Sequence, residues 1–356
     1  MTLVIGLMSG TSIDGIDVAA IDTDGVDAVT PRAALTVPYD SALRERIRSV
    51  LGGNGPLAAT ETALTEAHAG AVEALVKKYG LRDAALIGFH GHTVLHRPWE
   101  RRTWQIGDGA LLARLTGLDV VNDFRAADVA SGGQGAPFVP LFHRALAAGI
   151  ERPLAVVNIG GVANVTWLGA GDDEILAFDT GPGNALLDDW ALTHTGRPVD
   201  ESGALARSGT VDEAHVARFL AHPFFAAPPP KSLDRDDFAR FMPEGLSPAD
   251  GAATLAAMTV SGIAAARRHF PAAGARWLVT GGGRRNPVLM ALLASQLDAP
   301  VEPVERAGWD GDALEAQAFA YLAIRSVKGL PLSLPKTTGV AVPMTGGRLH
   351  RAAQRG

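Results

Sequence analysis

The chain has 356 residues, 47% hydrophobic and 20% charged, with a formal net charge of -6 at pH 7. That length exceeds what one hydrophobic core organises and argues for two domains, while an acidic balance with scattered arginines excludes non-specific binding to nucleic acid or an anionic membrane. The cysteine count is 0, which excludes disulfides, thiolate-held clusters, thiol nucleophiles and cysteine zinc sites.

The amino terminus has no basic stretch, and its apolar run breaks at Ser9. It reads as a buried strand over residues 3–8 rather than a secretory signal. No run approaches the ~20 apolar residues that cross a bilayer, so the expectation is a soluble cytoplasmic protein. Ser9-Gly10-Thr11-Ser12 then separates that strand from a second apolar run at 16–21, the pattern of a hairpin. Glycine lets backbone N–H groups approach phosphate oxygens, and Thr11 and Ser12 add hydroxyl donors, with Asp14, Gly15 and Asp17 following. The closing Gly-Lys-Ser/Thr of a Walker A loop is missing, and an ordinary turn fits the segment alone equally well. Residues 41–52 and 57–79 read as helices, the second ending in Lys77, Lys78 and Gly80.

Residues 84–89 read as a strand leading into His90-Gly91-His92-Thr93, with His96 nearby. These histidines lack a carboxylate at zinc-site spacing, so sugar-hydroxyl contacts or loop bracing are the better reading. A helix from 107 to 115 and a strand from 118 to 122 precede Arg125, Asp128 and the glycine-rich stretch 131–137. That composition suits a substrate loop in which Arg125 pairs with a carboxylate, or a plain connector.

From about residue 152 the pattern restarts: apolar 154–159, a turn at Gly160-Gly161 with Asn164 close behind, then apolar 165–168. Strand, glycine turn, strand thus occurs twice, and this spacing marks a duplicated domain rather than a solenoid. Residues 175–178 lead into Asp179-Thr180-Gly181-Pro182-Gly183-Asn184 and a helix over 185–192. A carboxylate at the carboxyl end of a strand suits a general base or the holder of a metal-bound water. A helix cap is the plainer reading. Residues 221–250 read as an insertion or lid, 276–280 as a strand opening into Gly281-Gly282-Gly283, and 287–297 as a helix. The three glycines would let a nucleotide or sugar ring lie on the backbone, and Asn286 breaks the dinucleotide fingerprint. In the apolar helix 313–327, Glu315 calls for a metal ion or substrate hydroxyl, or marks a solvated face. The tail from 329 reads as mostly surface.

In order along nearly the whole chain, IGLMSGTSIDGID (5–17), FHGHT (89–93), QIGDGALLA (105–113), NDFRAADVASGGQGAPFVPLFH (122–143), NIGGVAN (158–164), FDTGPGN (178–184), PPKS (229–232) and LEAQAFAYLA (314–323) resemble the anhydro-N-acetylmuramic acid kinases. The resemblance implies an α/β fold of two ribonuclease H-like, actin/hexokinase-type domains with mixed sheets flanked by helices and an active-site cleft between them. The boundaries expected are 1–130, with the tail 335–356 packing back on it, and 131–334. The implied reaction uses ATP and Mg²⁺, opens the 1,6-anhydro ring of a sugar with water and phosphorylates the freed O6. The carried-over site puts ATP against Gly10, Thr11, Ser12, Ile13, Asp14, Gly15, Ile16 and Asp17, and against Gly160, Gly161, Asn164 and Gly281-Gly282-Gly283. It makes Asp179 the base toward water with Glu315 near the reacting centre, and sets His90, Thr93, Arg125, Asp128, Gly181 and Gly183 around the sugar. A small-molecule sugar is the implied partner, with no nucleic acid or membrane, and the enzyme is implied to be a homodimer. His92 departs from the amide usual in the family, and Leu233-Asp234 from Thr-Gly. A kinase of the same superfamily for another sugar or small acid, or an actin-like ATPase, is the alternative.

Overall fold

A computed structural model of the chain describes residues 1–10, 12–234 and 237–353. It divides into two compact units, one built from Met1–Ala148 together with the chain from Ala313 onward, the other from Gly149–Asp312.

In the first unit, strands β1 (Thr2–Ser9), β2 (Gly15–Thr23), β3 (Val29–Pro38), β4 (Leu86–Arg97), β5 (Arg102–Ile106) and β6 (Asp119–Asn122) form a sheet in the order β6-β4-β1-β2-β3, with β5 beside β4. β1 to β3 form an antiparallel meander, whereas β4 lies parallel to β1 and β6 parallel to β4. Leu3, Ile5 and Leu7 bury one face of β1 together with Leu64, Val72 and Leu75 of the helix Leu57–Tyr79. Alternation sends Gly6 to the other face. A Cβ on Gly6 would fall 1.8 Å from the Ala316 carbonyl oxygen, and one on Gly88 2.0 Å from that of Phe319. These two glycines let the backbone of the helix Leu314–Val327 lie directly on the sheet, with Phe142 of the helix Pro140–Leu146 stacked 5.5 Å from its Tyr321. Residues 131–148 and 313–334, placed in the second domain from sequence, therefore pack with the first unit.

In the second unit, β7 (Leu154–Ile159), β8 (Val162–Leu168), β9 (Ile175–Pro182), β10 (Arg276–Thr280) and β11 (Val301–Pro303) run in the order β11-β10-β7-β8-β9. An antiparallel meander is again followed by a strand parallel to its first member and another parallel to that. Both sheets thus trace the same path, which is the duplication the sequence suggests. The helix Pro248–His269 is long and apolar enough by composition to cross a bilayer, contrary to the sequence expectation, yet 72% of its apolar window is buried within the fold. It is the core helix of this unit, with Trp190 Nε1 donating to the Pro248 carbonyl at 2.8 Å. Among the described residues of 221–250, read from sequence as an insertion or lid rather than core, Phe225 and Phe238 are buried in the core with Phe219, and Phe224 and Phe241 pack on them. Rings of that size hold a segment by area alone.

The chain then returns to the first unit, where β12 (Arg348–His350) pairs antiparallel with β6 and completes a seven-stranded sheet. Leu332, Ser333, Thr337, Thr338 and Val340 are buried, so this part of the tail is core rather than surface.

Candidate active site

The β1–β2 turn closes with Ile13 N donating to the Gly10 carbonyl at 3.1 Å and Ser12 Oγ to Asp14 Oδ1 at 2.7 Å. Tyr39 N and Arg44 Nη2 both donate to the Asp14 carbonyl, fixing the turn from the side of β3. Ile13 and Ile16 are 4% and 1% exposed and belong to the core, so only their backbones are available to a ligand. Two glycines here have different reasons. A Cβ on Gly15 would meet the Val37 carbonyl at 2.6 Å, whereas on Gly10 it would meet nothing nearer than Ser12 Oγ at 3.7 Å. Packing demands Gly15; above Gly10 there is room. Asp17 accepts from Thr36 Oγ1 at 2.6 Å, and Thr11 lies outside the described residues.

Beneath the turn, Tyr39 OH donates to Ser9 Oγ at 2.8 Å and Ser9 Oγ lies 2.9 Å from His92 Nδ1, all three buried. His92 Nε2 is buried with no hydrogen-bond partner, and nothing in the structure explains a histidine rather than an amide here. Thr93 Oγ1 accepts from Gln105 Nε2 at 3.1 Å. His90 bonds the Gly91 carbonyl through Nδ1 and accepts Arg125 Nε at 3.0 Å on Nε2; burial and the guanidinium push its pKa well below the ordinary value. Arg125 also donates to the Gly135 carbonyl at 2.6 Å, between the rings of Phe138 and Phe319. His96 bonds Thr103 Oγ1 through Nδ1. Among the described residues no three His, Cys, Asp or Glu side chains gather as a metal site.

Asp128 is 1% exposed, with Oδ1 accepting the Gly135 N–H at 2.7 Å and Oδ2 accepting the Ser333 and Thr338 hydroxyls. It clamps the 131–137 loop to the returning tail and shapes the surroundings of Arg125.

In the second unit the pairing register sets Thr280, Asn158, Asn164 and Asp179 side by side across β10, β7, β8 and β9. Asn164 Oδ1 is buried with no hydrogen-bond partner. Asp179, 6% exposed, accepts the Leu233 N–H on Oδ2 at 2.8 Å, and its own N–H donates to the Lys231 carbonyl at 3.0 Å. The carbonyls of Gly160 and Gly161 accept the Asn184, Gly183 and Ala185 N–H groups at the start of the helix Ala185–Thr195. A Cβ on Gly160 would meet nothing within 3.5 Å, whereas one on Gly183 would lie 2.2 Å from the Gly160 carbonyl oxygen. Gly181 is buried at φ 147°, a backbone that favours glycine. Glycine is thus required at 181 by the backbone angle and at 183 by the close approach of Gly160. In the same way Gly281 and Gly283 are pinned against Asn158 and Ile159, and only Gly282 has an open face, its nearest neighbour being Asn184 Nδ2 at 3.5 Å.

Glu315, half-buried, sits in the first turn of Leu314–Val327, between Ala313 and Ala316, which pack on Ala19 and Met8 of the β1–β2 hairpin. The roles of Ser9, Tyr39, Asn158 and Lys231 escape sequence reasoning. Ser9, Asn158 and Lys231 stand inside recognised stretches, but only pairing in space shows what they touch.

The family model for anhydro-N-acetylmuramic acid kinase matches residues 2–352. A protein of that name from Paramagnetospirillum magneticum is 58% identical over 98% of this chain and 99% of its own length, and one from Rhizorhabdus wittichii is 53% identical over the same shares. Among solved structures, (R)-2-hydroxyglutaryl-CoA dehydratase component A of Acidaminococcus fermentans superposes with a TM-score of 0.50 at 14% identity, covering 91% of this chain and 99% of that one, a likeness of fold alone. The two mixed sheets with flanking helices are ribonuclease H-like domains of the actin/hexokinase type, and the chain belongs to the anhydro-N-acetylmuramic acid kinase family.

Proposed function

We propose that this protein opens the 1,6-anhydro ring of 1,6-anhydro-N-acetylmuramic acid with water and transfers the γ-phosphoryl group of ATP to the freed O6, giving N-acetylmuramic acid 6-phosphate and ADP. The observation that carries the reading is the placement of Asp179: a nearly buried carboxylate, oriented through Oδ2 by a backbone N–H, next in register to the unfilled acceptor of Asn164. Water is a poor nucleophile, and a positioned base contributes roughly 10²–10⁴-fold. Asp179 takes the proton of the attacking water while Asn164 Oδ1 accepts its other hydrogen. Arg125, held by His90 and Gly135, pairs with the lactyl carboxylate, and Thr93, on the same strand β4 as His90, contacts the sugar. Glu315 acts near the reacting centre.

Each unit has glycines with open faces, Gly10 in the first and Gly160 and Gly282 in the second, of the kind that nucleotide phosphates and rings need for close backbone approach. Oxygen donors at the first turn, the exposed carboxylate of Asp14 and the half-buried one of Asp17, fit Mg²⁺, which takes one or two carboxylates besides phosphate oxygens. When bound, that ion neutralises phosphate charge during transfer. A cytoplasmic setting and a homodimer belong to the same reading and rest on the family.

The reading is tested by ADP release with anhydro-N-acetylmuramic acid beside glucose, N-acetylglucosamine and N-acetylmuramic acid, run in H₂¹⁸O. One solvent oxygen should enter at the anomeric carbon for each ADP released with the anhydro sugar. ADP released only with another sugar would transfer the assignment to a different kinase of the superfamily. For the nucleotide turn, Gly10→Ala should leave stability within about 0.5 kcal/mol, as surface changes do, yet raise the KM for ATP about tenfold or more. Gly15→Ala should instead destabilise by about 1–3 kcal/mol through overpacking on β3. Urea titration and initial rates on both variants separate the two effects.

A further inference from the structure

Beyond the short helix Pro223–Ala226 the chain runs through Pro229, Pro230, Lys231, Ser232 and Leu233 along β9. It grips Asp179 twice, once by the Lys231 carbonyl on the Asp179 N–H and once by the Leu233 N–H on Oδ2. Lys231 Nζ donates to the carbonyls of Phe224 at 2.7 Å and Ala227 at 3.0 Å, lying 4.5 Å from the Phe224 ring centre and 5.5 Å from that of Phe178. Phe178 precedes Asp179 on β9, so one ammonium ties the base's own strand to the helix before the segment. The place is costly for a cation: burial, with Arg268 nearby, brings its pKa down to about 8. A side chain without N–H donors, such as methionine, filling the same space would avoid that cost but could not hold two carbonyls.

We propose that Lys231 is a positioning residue for the hydrolytic step: it fixes the 231–233 segment, whose N–H at Leu233 aims the Asp179 carboxylate at the attacking water. This rests on the reading of Asp179 as the base. Because the grip is a main-chain N–H, it does not depend on the side chain at 233, which packs on the core of the unit.

The test compares kcat and both KM values for K231M, K231R, L233P, L233A, D179N and the D179N/K231M double variant, with thermal melting and ATP-analogue binding as controls. The expected result is a fall of about tenfold or more in kcat for K231M with the KM for ATP within about twofold, and partial recovery in K231R, the pattern of a contact that matters in the transition state. The double variant should be no slower than D179N, since Lys231 acts through Asp179. L233P, which removes the N–H, should lose at least as much as K231M, while L233A, which keeps it, loses less than about threefold. If K231M fails to fold, the two Leu233 variants decide, and equal rates for them overturn the proposal. So do a wild-type kcat in K231M and losses that multiply in the double variant. A kcat within tenfold of wild type in D179N defeats the base assignment itself, whereas a D179N slowed about 10²-fold or more beside a fully active K231M defeats only the positioning role.

Discussion

Asp179→Asn lowers kcat by roughly 10²–10⁴-fold, the worth of a positioned general base, while leaving ATP affinity within about twofold. The substitution is isosteric, so the buried position keeps its volume, and the amide oxygen can still accept the Leu233 N–H at the 2.8 Å position of Oδ2. What disappears is basicity. With no group to take its proton, water attacks the anomeric carbon only as neutral water, and O6 is freed no faster than the ring opens. A carboxylate that served merely as a brace would behave oppositely: the amide would weaken the fold and turnover would fall only modestly. The measurement is ADP release against sugar concentration, paired with calorimetric titration of a non-hydrolysable ATP analogue. A kcat within tenfold of wild type, at unchanged nucleotide affinity, would rule out the base role.

How much of this site is legible in the sequence depends on whether a residue's neighbours are local. The hairpin around Gly10 and its echo at Gly160 follow from short-range pattern, and the helix 57–79 coincides with Leu57–Tyr79, whereas Asp179, read as lying past the end of a strand, stands within β9 opposite Asn164. β3 is missed because Pro31 and Pro38 argue against a strand; it survives as an edge strand, with Pro31 opposite Ile21 where the register shifts. The helix Pro248–Ala265 shows no amphipathic stripe because every residue from Gly251 to Ile263 is buried. Glycine is the most ambiguous letter. Gly10 and Gly15, or Gly282 and Gly283, are indistinguishable in sequence, yet one of each pair leaves open space and the other accommodates a neighbouring chain. The partners of Asp128 are hidden for a related reason, since the hydroxyls of Ser333 and Thr338 lie some two hundred positions away.

Acidification from pH 7 to pH 5 should remove a large part of the first unit's stability. His68, His90, His92 and His143 are all buried there, at 0%, 4%, 0% and 1% exposure. Burial lowers the pKa of His68 and His92 from 6.5 to about 4 and of His143 to about 3, and with Arg125 pushes His90 well below its ordinary value. His68 and His92 each discourage the protonation of His90 as well. The sign follows from proton counting. The unfolded chain binds a proton at each histidine near pH 6.5 and the folded chain does not until about pH 4 or lower. The unfolded state therefore holds more protons throughout that window. Stability is complete above the unfolded value and declines as pH falls, by about 1.4 kcal/mol per pH unit for each group. At pH 5 that is roughly 2 kcal/mol for each of His68, His92 and His143, a large share of the ~5–15 kcal/mol that holds a domain folded, and His90 adds to the loss in the same direction. Urea midpoints followed by circular dichroism should drop steeply between pH 7 and pH 5, and His143→Leu should flatten the slope by about one proton. A midpoint unchanged across that range would mean that the folded unit takes up these protons without opening, and that its histidines are less sequestered than their burial indicates.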